Sequence, residues 1–399
     1  MLTPGRTLAI PRLSHRRPAV LFAAATLFYW GALYVYVPIL PVYSQSLGAS
    51  LIVVGLVVAA YGFSQLCLRI PIGLVSDRWG RRKPFCVAGM LVASAGCVVL
   101  VLAPSPFWLV IGRGIVGISA ATWVTITVMF SDWFPSDRVP GAMALLTFLS
   151  GLGQMVSTGI GGRLADAAGW KSPFLLGIVF GLIGAGMLLL VPEERSVRQS
   201  VPGWARMIAV GTSPRLLRVS LAGALLQFFF WATTYAFVPI YAHDLGASRT
   251  VLGLLVSGAL VPYTVAAFAV SRGVGRWGAL RCATVGLALC AASAIVVPGI
   301  HDLLLLGVSQ AVGGLGRGLC MPVLLGLSIQ SVAPAEKATA MGVFQAVYAI
   351  GMFLGPASAG VIAESLGLTD AFFVSGLMCI VGVGVLVLER QVRVASVGA

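Results

Sequence analysis

Charge is scarce in this chain. Only 10% of its 399 residues are Asp, Glu, Lys or Arg, against about 25% in soluble domains, which excludes a mainly water-exposed globule. Acid is scarcer still. The carboxylates are Asp77, Asp132, Asp137, Asp166, Glu193, Glu194, Asp244, Asp302, Glu336, Glu364, Asp370 and Glu389, and none stands in the middle of an apolar run. His15, His243 and His301 also map to loops or termini. No buried acid or histidine of the kind that relays protons through a membrane is therefore visible. The seven cysteines (Cys67, Cys86, Cys97, Cys282, Cys290, Cys320 and Cys379) form no C-x-x-C pair and no zinc spacing. They read as small core residues, and no metal or cofactor is expected. There is no Walker A sequence and no nucleophile–base constellation, so nothing points to ATP hydrolysis or to an enzyme. The alternating ten-residue segments of a β-barrel are missing too.

What fills the chain is apolar. Hydrophobic residues make up 59%, in twelve segments near the roughly 20 residues that cross a bilayer. Their bounds are 18–43, 51–72, 84–103, 106–130, 140–164 and 173–191, then 217–242, 249–270, 280–298, 302–330, 338–363 and 371–388. Pro38, Pro41, Pro239, Pro262, Pro322 and Pro356 lie inside spans, where neighbouring helices can accommodate kinks. The 49 glycines suit close helix–helix packing in lipid. This is an all-α membrane protein. Its parts are a tail at 1–17, six helices over 18–191, a linker at 192–216, six more over 217–388, and a tail at 389–399. The basic start resembles a signal-peptide n-region, but the apolar run after it is longer than such an h-region and lacks a clear A-x-A cleavage site, so it reads as the first helix.

The net charge of +14 would suggest nucleic acid in a soluble protein. Here the basic residues gather in loops between spans. With the N-terminus inside, 20 Lys and Arg fall on the inside and three, Arg163, Lys171 and Arg249, on the outside. That bias places both termini in the cytoplasm. The lipid bilayer is the expected partner, and nucleic acid is not. Arg69, Arg113 and Arg317 remain within the spans.

The densest charge cluster is Gly73-Leu-Val-Ser-Asp77-Arg78-Trp-Gly80-Arg81-Arg82-Lys83, between two long apolar runs. Gly80 suits a tight turn, since glycine takes positive φ at little cost. The chain also repeats. Trp30 and Tyr34 recur as Trp231 and Tyr235, and Val37-Pro38-Ile39 as Val238-Pro239-Ile240. From there an offset of 198 holds: Leu47-Gly-Ala-Ser50 with Leu245-Gly-Ala-Ser248, Arg78-Trp-Gly80 with Arg276-Trp-Gly278, Ala142-Met143 with Ala340-Met341, and Gly153 with Gly351. Each half is one six-helix unit, and an even number of spans gives both the same orientation.

The spelling G-x-x-x-D-R-x-G-R-R-K resembles the loop between helices 2 and 3 of the major facilitator superfamily. With the repeat, the resemblance covers essentially the whole chain. It implies two pseudo-symmetric six-helix bundles that rock about a midplane cavity. The plain alternative, a generic basic loop with an incidental aspartate, is disfavoured by the repeat. By resemblance Gly73, Asp77, Arg78, Gly80, Arg81, Arg82 and Asp132 form a conformational latch, with Arg81 paired to Asp132 and Asp77 facing the start of helix 11 near Ala338. The second copy has Gly275 in the place of Asp77 and cannot make the full network.

Arg113, in Arg-Gly-Ile-Val-Gly117, resembles the family's arginine motif, linked there to substrate or proton movement. The other reading is snorkelling to the interface. Arg317 lies nearer mid-span among small residues and reads as a cavity residue. Gly153, Gly161 and Gly162 in helix 5 resemble the family's exporter motif, with Ser157 and Thr158 replacing its Gly-Pro. Gly351, Gly355 and Pro356 in helix 11 make a fuller copy. Helix packing explains both copies as well as coupling does.

Trp30, Tyr34, Gln65, Gln227, Trp231, Tyr235 and Gln345 are further substrate or coupling candidates, although aromatic stripes also serve as packing or interfacial anchors. The reading is a secondary active transporter of a small organic solute in the inner membrane. The chain most resembles the twelve-span drug:proton antiporter branch, which implies export, protons as coupling ion and a monomer. Two arginines without an acid also suit an anionic or zwitterionic metabolite, such as a metallophore, a siderophore or an organic acid, moved in either direction. A non-transporting membrane sensor is the rival of another class.

Overall fold

In lipid every backbone N–H and C=O has to be satisfied within the chain, which favours continuous helices. The computed structural model describes residues 16–134, 138–193, 209–330, 332–333 and 336–398, and among them every regular element is helical. The first six units are α1 (Arg16–Tyr34, resuming as Leu40–Ser46), α2 (Leu51–Trp79), α3 (Lys83–Leu102), α4 (Pro106–Ala121 and Trp123–Ser131), α5 (Val139–Ala168) and α6 (Ser172–Leu190). The second six are α7 (Pro214–Ala232, a π turn at Thr233–Phe237, then Val238–Asp244), α8 (Arg249–Trp277), α9 (Ala279–Ile295), α10 (Leu303–Gln330), α11 (Lys337–Ser365) and α12 (Leu368–Gly398). Eleven of the described helices, all but the split α1, are long and apolar enough to cross a bilayer.

The repeat read from the sequence is also a repeat of packing. In the first bundle α1 packs on α5 and α6, α2 on α4, and α3 on α4 and α6. The second bundle uses the equivalent pairs: α7 on α11 and α12, α8 on α10, α9 on α10 and α12. The bundles meet along two seams, α2 with α11 and α5 with α8. Glycine makes both seams possible. A Cβ on Gly55 would lie 3.1 Å from the Cα of Gly360, and one on Gly253 3.1 Å from the Cα of Gly162. These two contacts are equivalent under the 198 offset.

Proline breaks two of the spans, while Pro262, Pro322 and Pro356 lie inside continuous helices. Pro38 has no N–H to give, and α1 loosens into turns over residues 35–39. Pro239 has the same consequence in α7, where the preceding turn widens to a π turn. Gly80 ends α2 at φ +66 and gives its N–H to the Ser76 carbonyl. The outer faces carry exposed apolar side chains such as Val20, Phe63, Leu190 and Leu304, as a lipid-facing surface requires.

Two expectations change. Helix α12 does not stop at 388 but continues to Gly398. Its Glu389, expected in the tail, is only 3% exposed and pairs with Arg218 (2.7 Å) and Arg215 (3.4 Å) near the start of α7. A buried carboxylate needs such partners. Within the expected linker, residues 194–208 lie outside the described residues, as do residues 1–15 of the N-terminal tail.

Candidate functional site

Arg113 is 1% exposed, so it does not snorkel. The broken helix explains how α4 can bury it against α1. The Val37 N–H turns back to the Tyr34 carbonyl at 3.0 Å, which leaves the Leu33 carbonyl without its helical donor. Arg113 donates to that carbonyl at 3.2 Å and to the Tyr36 hydroxyl at 3.1 Å. Its guanidinium lies 4.2 Å from the centre of the Tyr61 ring, close enough for a cation–π contact.

From Tyr61 the aromatic contacts cross between the bundles. Tyr61 stacks on Trp231 at 5.0 Å, and Tyr34 meets Tyr235 edge-on at 5.7 Å. Trp30 touches Tyr34 at 5.5 Å, and Trp231 and Phe230 both touch Tyr235. Arg317 of α10 closes the series, 3.7 Å from the Phe230 ring centre and 4.7 Å from that of Tyr263. The symmetric pairs Trp30/Trp231 and Tyr34/Tyr235 thus stand between two arginines. Several buried polar atoms here have no hydrogen-bond partner: Arg113 Nε, Arg317 Nε and Nη1, the Tyr235 hydroxyl, Trp231 Nε1 and Gln227 Oε1. Such atoms are costly to leave unpaired, and they are suited to a polar ligand.

Gln65 and Gln345 belong to a neighbouring group organised by Arg69, which the sequence reading left unassigned. Arg69 is 8% exposed. It donates to Gln65 Oε1 (2.7 Å) on its own helix, and to the Tyr348 hydroxyl (2.6 Å) and Gln345 Oε1 (3.2 Å) across the α2–α11 seam. Tyr61, Gln65, Arg69, Gly73 and Asp77 stand four residues apart, one stripe of α2 leading from the aromatic cluster to the basic loop. That spacing was the available signal for Arg69. None of Arg69, Arg113 and Arg317 pairs with a carboxylate among the described residues.

At the loop end the structure corrects one pairing. Arg82, not Arg81, joins the acids. Arg82 is 8% exposed, hydrogen-bonds Asp132 and reaches Asp77 at 3.2 Å. Arg81 points outward. The Arg82 peptide lies at the entry to α3, with its side chain turned back between the ends of α2 and α4. Gly73 faces α4 there, and a Cβ on it would make only an ordinary contact with Val124, at 3.5 Å. Asp77, Arg82 and Asp132 all belong to the first bundle. Arg78 shares the loop, and the side chain of Ala338 lies outside the described residues.

The glycine motifs are packing surfaces on both sides. A Cβ on Gly161 would fall 1.5 Å from the Val35 carbonyl oxygen of α1, and one on Gly153 3.1 Å from Leu27 O. In the second bundle Gly351 and Gly355 meet the Ala224 and Phe228 carbonyls of α7 in the same way. Gly162 and Pro356 face the other bundle, against Arg249 O and Gly55 respectively.

Residues 22–241 match the Major Facilitator Superfamily, and residues 219–397 match it a second time. The inner membrane transport protein YajR of Escherichia coli is 26% identical over 245 residues, covering 58% of this chain and 53%, about half, of that protein. The multi-drug resistance efflux pump PmrA of Streptococcus pneumoniae is 22% identical over 352 residues, 86% of this chain and 88% of that one. A crystal structure of a bacterial homologue of the human lysosomal transporter Spinster, inward-facing and unoccupied, matches with a TM-score of 0.80. It covers 95% of this chain and 98% of that one at 16% identity, a likeness of fold.

Proposed function

The chain belongs to the Major Facilitator Superfamily, and from that premise we propose that it exports a small organic solute across the inner membrane by alternating access, coupled to the proton gradient. The family makes it a multi-pass membrane protein that handles small molecules. Export is favoured by the likeness to PmrA. The excess of Lys and Arg on one set of loops favours both termini in the cytoplasm. The observation that carries the reading is the aromatic and arginine cluster between the bundles, where Tyr34 meets Tyr235 and Tyr61 meets Trp231. A solute held there contacts both halves at once, so its binding can bias their relative positions.

A second reading of the substrate rests on charge. Three guanidiniums stand along the seam and the cluster without a carboxylate partner among the described residues. Arginine does not lose its proton in proteins, and a buried charge without a counter-ion is penalised by several kcal/mol. An anionic or zwitterionic metabolite bound in the cluster relieves that penalty at the guanidiniums it meets. An anion also couples directly to the membrane potential, worth about 2.3 kcal/mol per charge per 100 mV, which suits a chain without an acid in mid-span.

The test compares small molecules in cells and spent medium, with and without the gene. A compound retained inside the deletion strain and absent from its medium identifies an export substrate. A compound left in the medium and depleted inside means import. For the charge reading, Arg317→Ala is expected to cut flux of that compound at least tenfold, the order of one lost charged contact. Unchanged flux in the variant would remove Arg317 from the site.

A further inference from the structure

The face away from the basic loop is closed by two contacts of an unusual kind. Asp166, in the last turn of α5, accepts from the backbone N–H groups of Arg249 (3.2 Å) and Thr250 (2.7 Å) and from the Thr250 hydroxyl (2.6 Å). Those residues begin α8, in the other bundle. Glu364, in the last turn of α11, accepts from the N–H of Leu51 at 2.6 Å. Leu51 begins α2, again in the other bundle.

The first N–H groups of a helix have no partner inside it, and its start favours a carboxylate. A cap usually comes from just before the helix. Here Ser50 and Ser248 do accept, from the Val53 and Val251 N–H groups, and the donors of Leu51, Arg249 and Thr250 are satisfied from across the seam. Asp302 shows the ordinary case, capping Leu304 and Leu305 of its own α10 at 2.9 Å.

The two crossing caps are one contact made twice. Asp166 and Glu364 are equivalent under the 198 offset, and so are Leu51 and Arg249. Directly beneath them lie the equivalent glycine contacts Gly55 with Gly360 and Gly253 with Gly162. On the α5–α8 side Arg249 adds the complement, giving Nη1–H to the Ala165 carbonyl at 2.7 Å. Thr158 and Ser257 continue the seam with a 2.8 Å hydrogen bond. At the loop end, by contrast, Asp77, Arg82 and Asp132 bind within one bundle.

We propose that Asp166 and Glu364 form a paired lock that holds the two bundles shut on the face opposite the basic loop, and that opening this face breaks both caps together. The inference rests on the alternating-access reading. Because the bundles move as bodies, neither seam separates alone, and each cap stabilises the other seam as well as its own.

Hydrogen–deuterium exchange on the full chain in lipid nanodiscs tests this without a substrate. Asp166→Ala is expected to speed exchange in the first turns of α8 and also, through the other seam, in residues 51–58 of α2, by roughly tenfold, the scale of one lost cap. Glu364→Ala is expected to show the reciprocal pattern, and the double variant a larger effect at both. Asp166→Asn keeps an acceptor oxygen and is expected to give a smaller change in the same two places. Asp302→Ala removes a cap that does not cross, so its effect stays within α10. If Asp166→Ala and Asp166→Asn change only α8 and leave α2 at the wild-type rate, Asp166 is an ordinary cap and the lock is overturned. Absence of solute flux in cells, with the exchange pattern intact, would instead count against the transport reading.

Discussion

Arg81 and Arg82 are adjacent in the chain and differ in everything the fold does with them. The turn at Gly80 aims Arg82 back between Asp77 and Asp132 and leaves Arg81 outside. Arg82→Ala is expected to destabilise by roughly 1–2 kcal/mol, a modest figure because both acids are partly exposed. Arg81→Ala is expected to stay within about 0.5 kcal/mol. Thermal unfolding of the two variants in detergent distinguishes them, and equal losses would contradict the pairing. The motif was legible as a unit in the sequence, but which arginine bound the acids was not. Consecutive residues in a turn point in different directions, and the φ of Gly80 decides which.

Among the helices, proline and glycine set the geometry. The break at Pro38 releases the Leu33 carbonyl that Arg113 takes up, so a helix defect in α1 becomes the seat of a buried charge in α4. Gly161 lets α5 lie against that same loosened stretch. Gly161→Ala places a Cβ 1.5 Å from a backbone oxygen, which no rotamer change relieves. It is expected to cost about 1–3 kcal/mol and to lower the yield of monodisperse protein. Gly186→Ala in α6, with nothing within 4 Å, is expected to be tolerated, since alanine favours helix by about 1 kcal/mol over glycine. Fluorescence-detected size exclusion with a temperature ramp compares the two. The small-residue spacing was readable in advance. The partner helix was not, because spacing marks a face without saying what lies against it.

For the molecule as a whole, the central question is how Arg69, Arg113 and Arg317, none paired with a carboxylate among the described residues, fit between the two bundles. Arg69 joins α2 to α11, and it can be read as a structural bridge or as a place for an anion. The two differ in stability. Arg69→Gln removes a buried charge that has no carboxylate partner among the described residues, which is costly to bury, and with it the hydrogen bonds to Gln65, Tyr348 and Gln345, so an anion site predicts that the two changes offset, leaving the melting temperature little changed while flux is lost. A structural bridge predicts a lower melting temperature. The first outcome is expected. The paired caps belong to this scale too, since they matter only if both bundles move together.

The sequence by itself determined the membrane class, the helical spans, the repeat and the family. Each of these follows from patterns along the chain: apolar length, loop charge, and one offset between the halves held across helices 2 to 6. It also placed Trp30, Tyr34, Trp231 and Tyr235 at equivalent positions, which the structure brings into one cluster. Only the tertiary structure decided that Arg82 holds Asp132, that Arg69 spans a seam, that Glu389 is buried, and that Asp166 and Glu364 cap helices of the opposite bundle. All four depend on which residues meet across helices far apart in sequence, and hydropathy carries no information about that. The caps are the clearest instance: their partners are backbone N–H groups, which every residue but proline has, so no side-chain pattern could have announced them.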